Sequence, residues 1–331
     1  VSYLSTQGSC IEGGNVLVEK HFAAAPTVRF GVMADVHLDF MYQAAPRLEQ
    51  FVDHMNREQV DFVIQLGDFC YPLPENRFFV DIWEKFRGKR YHVLGNHDMD
   101  VCDKAAAMAY LGMVRNYYSF DCGDYHFVVL DGNYLCIDGK YIDYENGNYH
   151  KFPNANNHLS PDQLDWLRND LAATDKQTVI FCHQSLEPRE LGGIHNHGEF
   201  RAILKEANEK ARFHKVIACM NGHLHLDGAR VIDDIYYIQI NSMSYYYLGK
   251  NYEPVRYSEE ITASHRLLAR CAPYEEALYA VVTLKPGLLA MEGRETTYVG
   301  QTPVECGHPN TAGGHVLAPV VSTRKLPVWP K

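Results

Sequence analysis

The sequence predicts an α/β fold, and two features carry that expectation. From Val28 to about Asn241, short β-branched apolar runs alternate with amphipathic stretches, the pattern of strands and helices stacked in layers. Five of those runs end in residues that ligate metals. In α/β sheets, the crevice beyond the strand carboxyl ends is where ligands bind.

Taken in chain order, the predicted strands are Val28 to Ala34, Phe62 to Leu66, Tyr91 to Leu94, His126 to Leu130, Val179 to Cys182, Val216 to Met220 and Ile235 to Ile240. Ser160 followed by Pro161 starts a helix whose Leu164, Leu167 and Leu171 share one face, with Pro at a position where no N–H is needed. Asn196 with Glu199 three residues on resembles a capping box opening the helix through Leu204. Residues 132–158 are rich in Asn, Gly and Tyr with little periodicity and read as a long loop; residues 245–273 read as a second insertion. Ala277 to Leu284 and Leu288 to Glu292 flank Pro286 and Gly287 as a hairpin, which suggests a second sheet. We expect one domain over residues 1–295, with its motif core at 28–242, and an irregular tail at 296–331 packed on it.

Composition narrows the function. A chain of 331 residues buries a substantial core, and no apolar run approaches the ~18 residues of a membrane span. The formal charge of -10, without a Lys/Arg cluster, argues against a nucleic-acid polymer as partner. A small phosphorylated substrate stays compatible, because bound cations would supply local positive charge. Nine cysteines without paired zinc-type spacing, several inside apolar runs, read as reduced core thiols and tilt the compartment toward the cytoplasm. The chain begins at Val1, so removal of an export signal stays open.

The chemistry is carried by a grammar repeated five times. The strand VRFGVMA runs into Asp35 and His37, DFVIQL into Gly67 and Asp68, and RYHVL into Gly95, Asn96, His97 and Asp98. VIFC runs into His183, and VIACMN into Gly222, His223 and His225. Asp35 and His37, like His223 and His225, are two apart, and in extended backbone such residues point to one side. The glycines before the ligands suggest a backbone that needs freedom in φ where strand becomes loop. Mixed oxygen and imidazole donors suit Mn, Fe or Zn. Any one of these residues alone is ordinary; all of them in order, each after a strand, is not.

The set Asp35-x-His37, Gly67-Asp68, Gly95-Asn96-His97-Asp98, His183 and Gly222-His223-x-His225 resembles the motif series of the calcineurin-like metallophosphoesterases. The resemblance implies a four-layer αββα sandwich, two mixed sheets flanked by helices, with two divalent or mixed-valence ions (Mn, Fe or Zn) at the strand ends. It implies that Asp35, His37 and His225 hold one ion, Asn96, His183 and His223 the other, and that Asp68 bridges them. His97 would stabilise the transition state or protonate the leaving oxygen, and Asp98 would hold its imidazole. The stretch Gly67-Asp68-Phe69-Cys70-Tyr71 matches a motif of purple acid phosphatases in which the tyrosine binds ferric iron. Those enzymes lack a counterpart of His37, so Tyr71 is expected as a pocket or packing residue.

Such an enzyme hydrolyses phosphate esters: the cations would acidify a bridging water, polarise the phosphoryl oxygens and align the ester. Segments around Ser160 to Trp166, Val179 to His183 and the aspartate of VVLDGNY are similar to the branch of class III cyclic-nucleotide phosphodiesterases and manganese-dependent ADP-ribose/CDP-alcohol pyrophosphatases. A small nucleotide-like phosphodiester or pyrophosphate is therefore the expected substrate, a phosphomonoester (protein phosphatase included) the alternative, and a non-catalytic scaffold the remaining one. His195, His197, Tyr71 and Asn133 are the candidate substrate contacts, and Tyr245 to Tyr247 candidate stacking surfaces.

Overall fold

The computed structural model describes residues 27–187, 192–265 and 267–329; the amino-terminal stretch that the one-domain expectation included lies outside the described residues. In chain order, β1 (Val28–Met33), α1 (Ala44–Glu58), β2 (Phe62–Gln65), α2 (Arg77–Glu84), β3 (Lys89–His92) and α3 (Lys104–Tyr110) form the first half. The strands β4 (Tyr118–Cys122), β5 (Tyr125–Val129), β6 (Tyr134–Ile137) and β7 (Lys140–Asp143) lead to α4 (Pro161–Ala173), β8 (Gln177–Cys182), α5 (His197–Ala211) and β9 (Val216–Asn221). Then come β10 (Gly228–Ile232), β11 (Ile235–Gln239), β12 (Tyr245–Tyr247), α6 (Glu259–Ser264), β13 (Cys271–Pro273), β14 (Ala280–Lys285) and β15 (Leu288–Glu292). Short strands β16 (Arg294–Glu295), β17 (Thr311–Ala312), β18 (His315–Val316), β19 (Val320–Val321) and β20 (Arg324–Pro327) close the chain.

Two mixed sheets result. One has the order β20-β15-β14-β1-β2-β3 and the other β10-β11-β9-β8-β5-β4. Period-2 alternation explains the four layers. Phe30, Val32, Phe62 and Ile64 of the first sheet meet Phe127, Val129, Val179 and Phe181 of the second in the central layer. Their neighbours point outward: Met33 and Val63 pack under α1 and α2, and Val128, Ile180 and Cys182 under α4 and α5. Phe30 stacks on Phe62 at 4.8 Å and meets Phe127 and Phe181 edge-on at 5.7 and 5.8 Å, locking sheet to sheet. Burying each such side chain contributes roughly 1.5–3 kcal/mol. Gly31 lets α1 approach: a Cβ there would lie 2.3 Å from Met55 Sδ. All parallel strands of both sheets therefore deliver their carboxyl ends to one rim.

Each predicted strand is present, with ends shifted by a residue or two; the run at Tyr91 begins earlier, at Lys89. The cap on α4 forms as expected, Ser160 Oγ accepting from the Gln163 N–H at 3.3 Å. The box on α5 does not: Asn196 spends its amide on Leu159, accepting from its N–H and donating to its carbonyl. The 132–158 insertion is not a bare loop. It holds the β6–β7 hairpin, turned at Asp138-Gly139 with φ of 51° and 75°, the left-handed pair that an Asp-Gly turn supplies. The β14–β15 hairpin adds to β1 and so extends the first sheet instead of starting one. The tail is less irregular than its composition suggests, since β20 pairs with β15. Arg324 and Ser322 bind Asp227, two residues past His225, and so tie the tail to a motif loop. No helix of the described residues is long and apolar enough to cross a membrane.

A partly exposed ion-pair network around the buried His126 joins the layers: His126 on β5 contacts Asp121 of β4 at 2.7 Å and Asp170 of α4 at 2.8 Å. Burial works against its proton, but Asp170 and Asp121 outweigh it and hold its pKa above the ordinary value. A raised histidine stabilises the fold fully below its unfolded pKa of about 6.5, and the contribution fades as pH rises through the folded value. We predict that His126→Gln lowers the melting temperature, relative to the parent at the same pH, more at pH 6 than at pH 9. Equal losses at both would contradict the charged pairing.

Candidate active site

The first two motif loops continue the strand pairing past the sheet. The N–H of Asp35 bonds the Gly67 carbonyl, and those of His37 and Leu38 bond the carbonyls of Asp68 and Phe69. Asp35, His37, Asp68, His223 and His225 all have φ between 52° and 66°, the left-handed region that residues with a Cβ rarely enter. The paired ligands thus converge through left-handed turns, and not through the extended backbone that their spacing suggested. Of the three glycines, Gly67 has the positive φ, 99°. Gly95 and Gly222 serve closeness instead: a Cβ would stand 2.2 Å from Asp68 Oδ1 at the first and 2.5 Å from Asp35 Oδ2 at the second.

The side chains gather into two donor groups, Asp35 with His37 and His225, and Asp68 with His183 and His223. In the first, His225 Nε2 is 3.3 Å from both Asp35 Oδ1 and His37 Nε2. In the second, His183 Nε2 is 3.1 Å from His223 Nδ1 and 3.1 Å from Asn96 Oδ1. Asp68 joins them. Its Oδ2 lies 3.2 Å from His183 Nε2 and 3.5 Å from His37 Nε2, one ligand of each group, while Oδ1 accepts the His97 N–H.

These donors fit cations. Asp35 Oδ1 is buried without a hydrogen-bond partner, although imidazole nitrogens surround it. His183 and His225 give their Nδ1–H to the carbonyls of Leu66 and Tyr245, which fixes the tautomer and turns the Nε2 lone pair inward. Burial, reinforced by neighbouring imidazoles, holds His37 well below the ordinary pKa against the pull of Asp68, and brings His223 down to about 3. His183 goes the other way: burial opposes its proton, yet Asp68 and Asp35 raise it to about 9. Burial pushes Asp68 up, but His183, His97 and His37 override it and leave the carboxylate well below its usual range. Two carboxylates, an amide and four imidazoles, with no thiolate, suit Mn, Fe or Zn.

His97 stands beside both groups, its ring 5.4 Å from that of His37. The carboxylate that holds it is Asp100, with Oδ2 2.7 Å from Nδ1. Asp98, expected in that role, faces away and accepts the N–H groups of Phe69 and Gly95. Burial and Asp68 push Asp98 up to about 7, against those two N–H bonds. Burial disfavours a proton on His97, but Asp68 and Asp100 outweigh it and set its pKa above the ordinary value. The short turn His97–Met99 explains the exchange, because it brings residue 100 back under residue 97. That spacing of three was the available signal.

Among the substrate candidates, Asn133 is excluded by its own bonds: fully buried, it binds Leu94, Asp131 and Gln184. Tyr71 lines the site and gives its O–H to Asp100, while burial and then Asp100 push its pKa up, the state of a neutral phenol. His195 and His197 line a cavity of about 660 Å³ with Asn154, Asn156, Tyr149 and His223. On the other side, Phe40, Tyr71, Tyr245, Tyr246, Leu226 and His97 line one of about 700 Å³. Phe40, Asp100 and Tyr149 are site residues that the motifs did not mark.

The comparisons with known proteins agree with this geometry. The family model described as calcineurin-like phosphoesterase matches residues 28–227. Relatives include two proteins named manganese-dependent ADP-ribose/CDP-alcohol diphosphatase. The one from Oryza sativa subsp. japonica is 28% identical over 263 residues, 62% of this chain and 80% of that protein. The one from Arabidopsis thaliana is 28% identical over 262 residues, 62% of this chain and 82% of that protein. Among solved structures, a dimetal phosphatase from Danio rerio shares the fold with a TM-score of 0.58 at 18% identity, covering 82% of this chain and 98% of its own. Matched over more than half its length, from β1 through the histidine pair, the chain belongs to the calcineurin-like phosphoesterase family.

Proposed function

We propose that this protein hydrolyses a phosphodiester or diphosphate of nucleotide size with the help of two cations. Asp35, His37 and His225 would hold one ion, Asn96, His183 and His223 the other. The observation that carries the reading is Asp68, whose single Oδ2 faces a ligand of each group. When bound, the ions supply Lewis acidity toward the phosphoryl oxygens and acidify a water. Manganese is the proposed metal, because the donor set accepts it and the relatives are named for it.

The chain's own residues do the rest. With Nδ1–H given to Asp100, the imidazolium of His97 keeps its Nε2–H for the substrate and donates that Nε2 proton to the departing oxygen. The imidazole then stays bonded through Nδ1. Two unlike cavities flank the donor groups, so a substrate with two unlike halves fits better than a simple monoester. The aromatic side would take a planar base, and the amide and imidazole side a polar, hydroxyl-rich group.

Three outcomes are expected. With manganese supplied, ADP-ribose or a CDP-alcohol should be cleaved with higher kcat/KM than p-nitrophenyl phosphate; a monoester preference would sink the substrate assignment. Purified protein should carry about two metal equivalents and lose activity on chelation, and Asp68→Ala should lose metal by elemental analysis. An enzyme active without metal refutes the site. His97→Ala should retain its metal yet lose roughly 10²- to 10⁴-fold in rate for poor leaving groups, and much less for p-nitrophenolate esters. Equal losses across leaving groups would remove the acid role.

A further inference from the structure

Tyr149 belongs to the 132–158 insertion, far from every motif in sequence. Its ring is buried and stacks on Tyr144 at 4.8 Å, yet its hydroxyl reaches the centre of the site. The oxygen is 3.1 Å from Asn96 Nδ2, 2.6 Å from Asp100 Oδ1 and 3.1 Å from His97 Nδ1. Donor and acceptor chemistry leaves one arrangement. A carboxylate only accepts, so the phenol hydrogen goes to Asp100; an amide nitrogen only donates, so the phenol oxygen receives Asn96.

Both ends matter. Holding Nδ2 forces the other end of the Asn96 amide, Oδ1, toward His183 and the second donor group. Holding Oδ1 of Asp100 leaves Oδ2 for His97 at 2.7 Å, with Tyr71 as a further donor at 3.0 Å. One O–H group therefore links a candidate cation ligand to the partner of the proton donor. We propose that Tyr149 is a positioning residue which sets the amide of Asn96 for cation binding and the Asp100–His97 pair for proton transfer. The proposal rests on the cation-dependent reading of the site.

The test is a manganese-binding isotherm of the metal-stripped full chain, together with kcat and KM for esters of good and poor leaving groups. Tyr149→Phe keeps the ring on Tyr144 and deletes the hydroxyl. It should weaken the binding of one of the two ions by about 10- to 100-fold, the usual effect of removing a group that orients a ligand. It should also lower kcat for the poor leaving group, with KM little changed and the good leaving group less affected. Asp100→Asn should reproduce the leaving-group effect while its isotherm stays close to the parent's. A Tyr149→Phe protein that matches the parent isotherm and leaving-group dependence, or that differs in melting temperature alone, overturns the proposal and leaves the function standing. A parent chain that binds no manganese overturns both.

Discussion

The structure turns on a carboxylate that has been taken out of water. Asp68 is 3% exposed, and each of its oxygens is committed: one to the His97 N–H, the other to the space between His183 and His37. A buried anion is costly unless positive charge or strong hydrogen bonds meet it. The imidazoles around it are divided, since burial strips the proton from His37 and His223 while Asp68 itself helps His183 and His97 keep theirs, so the chain's own charge compensation is partial. Cations complete the balance, which is why the site reads as a metal centre from its electrostatics as well as from its residue types.

That balance also accounts for the local backbone. A non-glycine residue in the left-handed region costs roughly 1–2 kcal/mol, and five donors sit there together. Strain of this kind persists where the surroundings over-determine it. Here the carbonyls of Gly67, Asp68 and Phe69 clamp the Asp35 loop from below, Asp98 clamps the Phe69 and Gly95 N–H groups, and Asp35 Oδ2 clamps the His223 N–H. Loops from four strands are thus sewn to one another before any substrate arrives. Asp98 is a loop fastener, and its nearness to His97 in sequence misleads because the turn carries it to the opposite side.

The legible parts of the sequence were those governed by local rules. Strand-forming residue type is a property of a few neighbouring positions, so the apolar runs through Phe30 and Val32 and through Phe127 and Val129 predict strands, and the structure has β1 and β5 there. Donor types at strand ends are likewise local, and every expected ligand lies in or beside the two groups. What the sequence hid depends on partners distant along the chain. Asn133 looks like a pocket residue until Leu94 and Gln184 claim its amide, and Asn196 looks like a cap until Leu159 does. Tyr149 is one of 22 tyrosines, and nothing near it announces that its hydroxyl meets Asn96. The Asp138-Gly139 turn is the exception, a local signal that the polar composition around it obscured.

Motif residues and insertions consequently divide the work. The donors ride on strand ends that a central aromatic layer holds rigid, which suits groups that must keep fixed distances. The cavity walls come from elsewhere. Tyr245 to Tyr247 belong to β12, tied to β13, and Ala312 of the tail hairpin lines the same aromatic cavity. His308 packs between Tyr246 and Tyr252, binding the tail to that wall, while residues 149–157 form the polar wall opposite. A change of substrate therefore has most room in the side chains of the second insertion and the tail that line the cavity, because the second insertion holds a cation ligand through backbone alone, the Tyr245 carbonyl accepting from His225. The first insertion has less freedom, because it also carries Tyr149 into the centre, so its sequence answers to the chemistry as well as to the substrate.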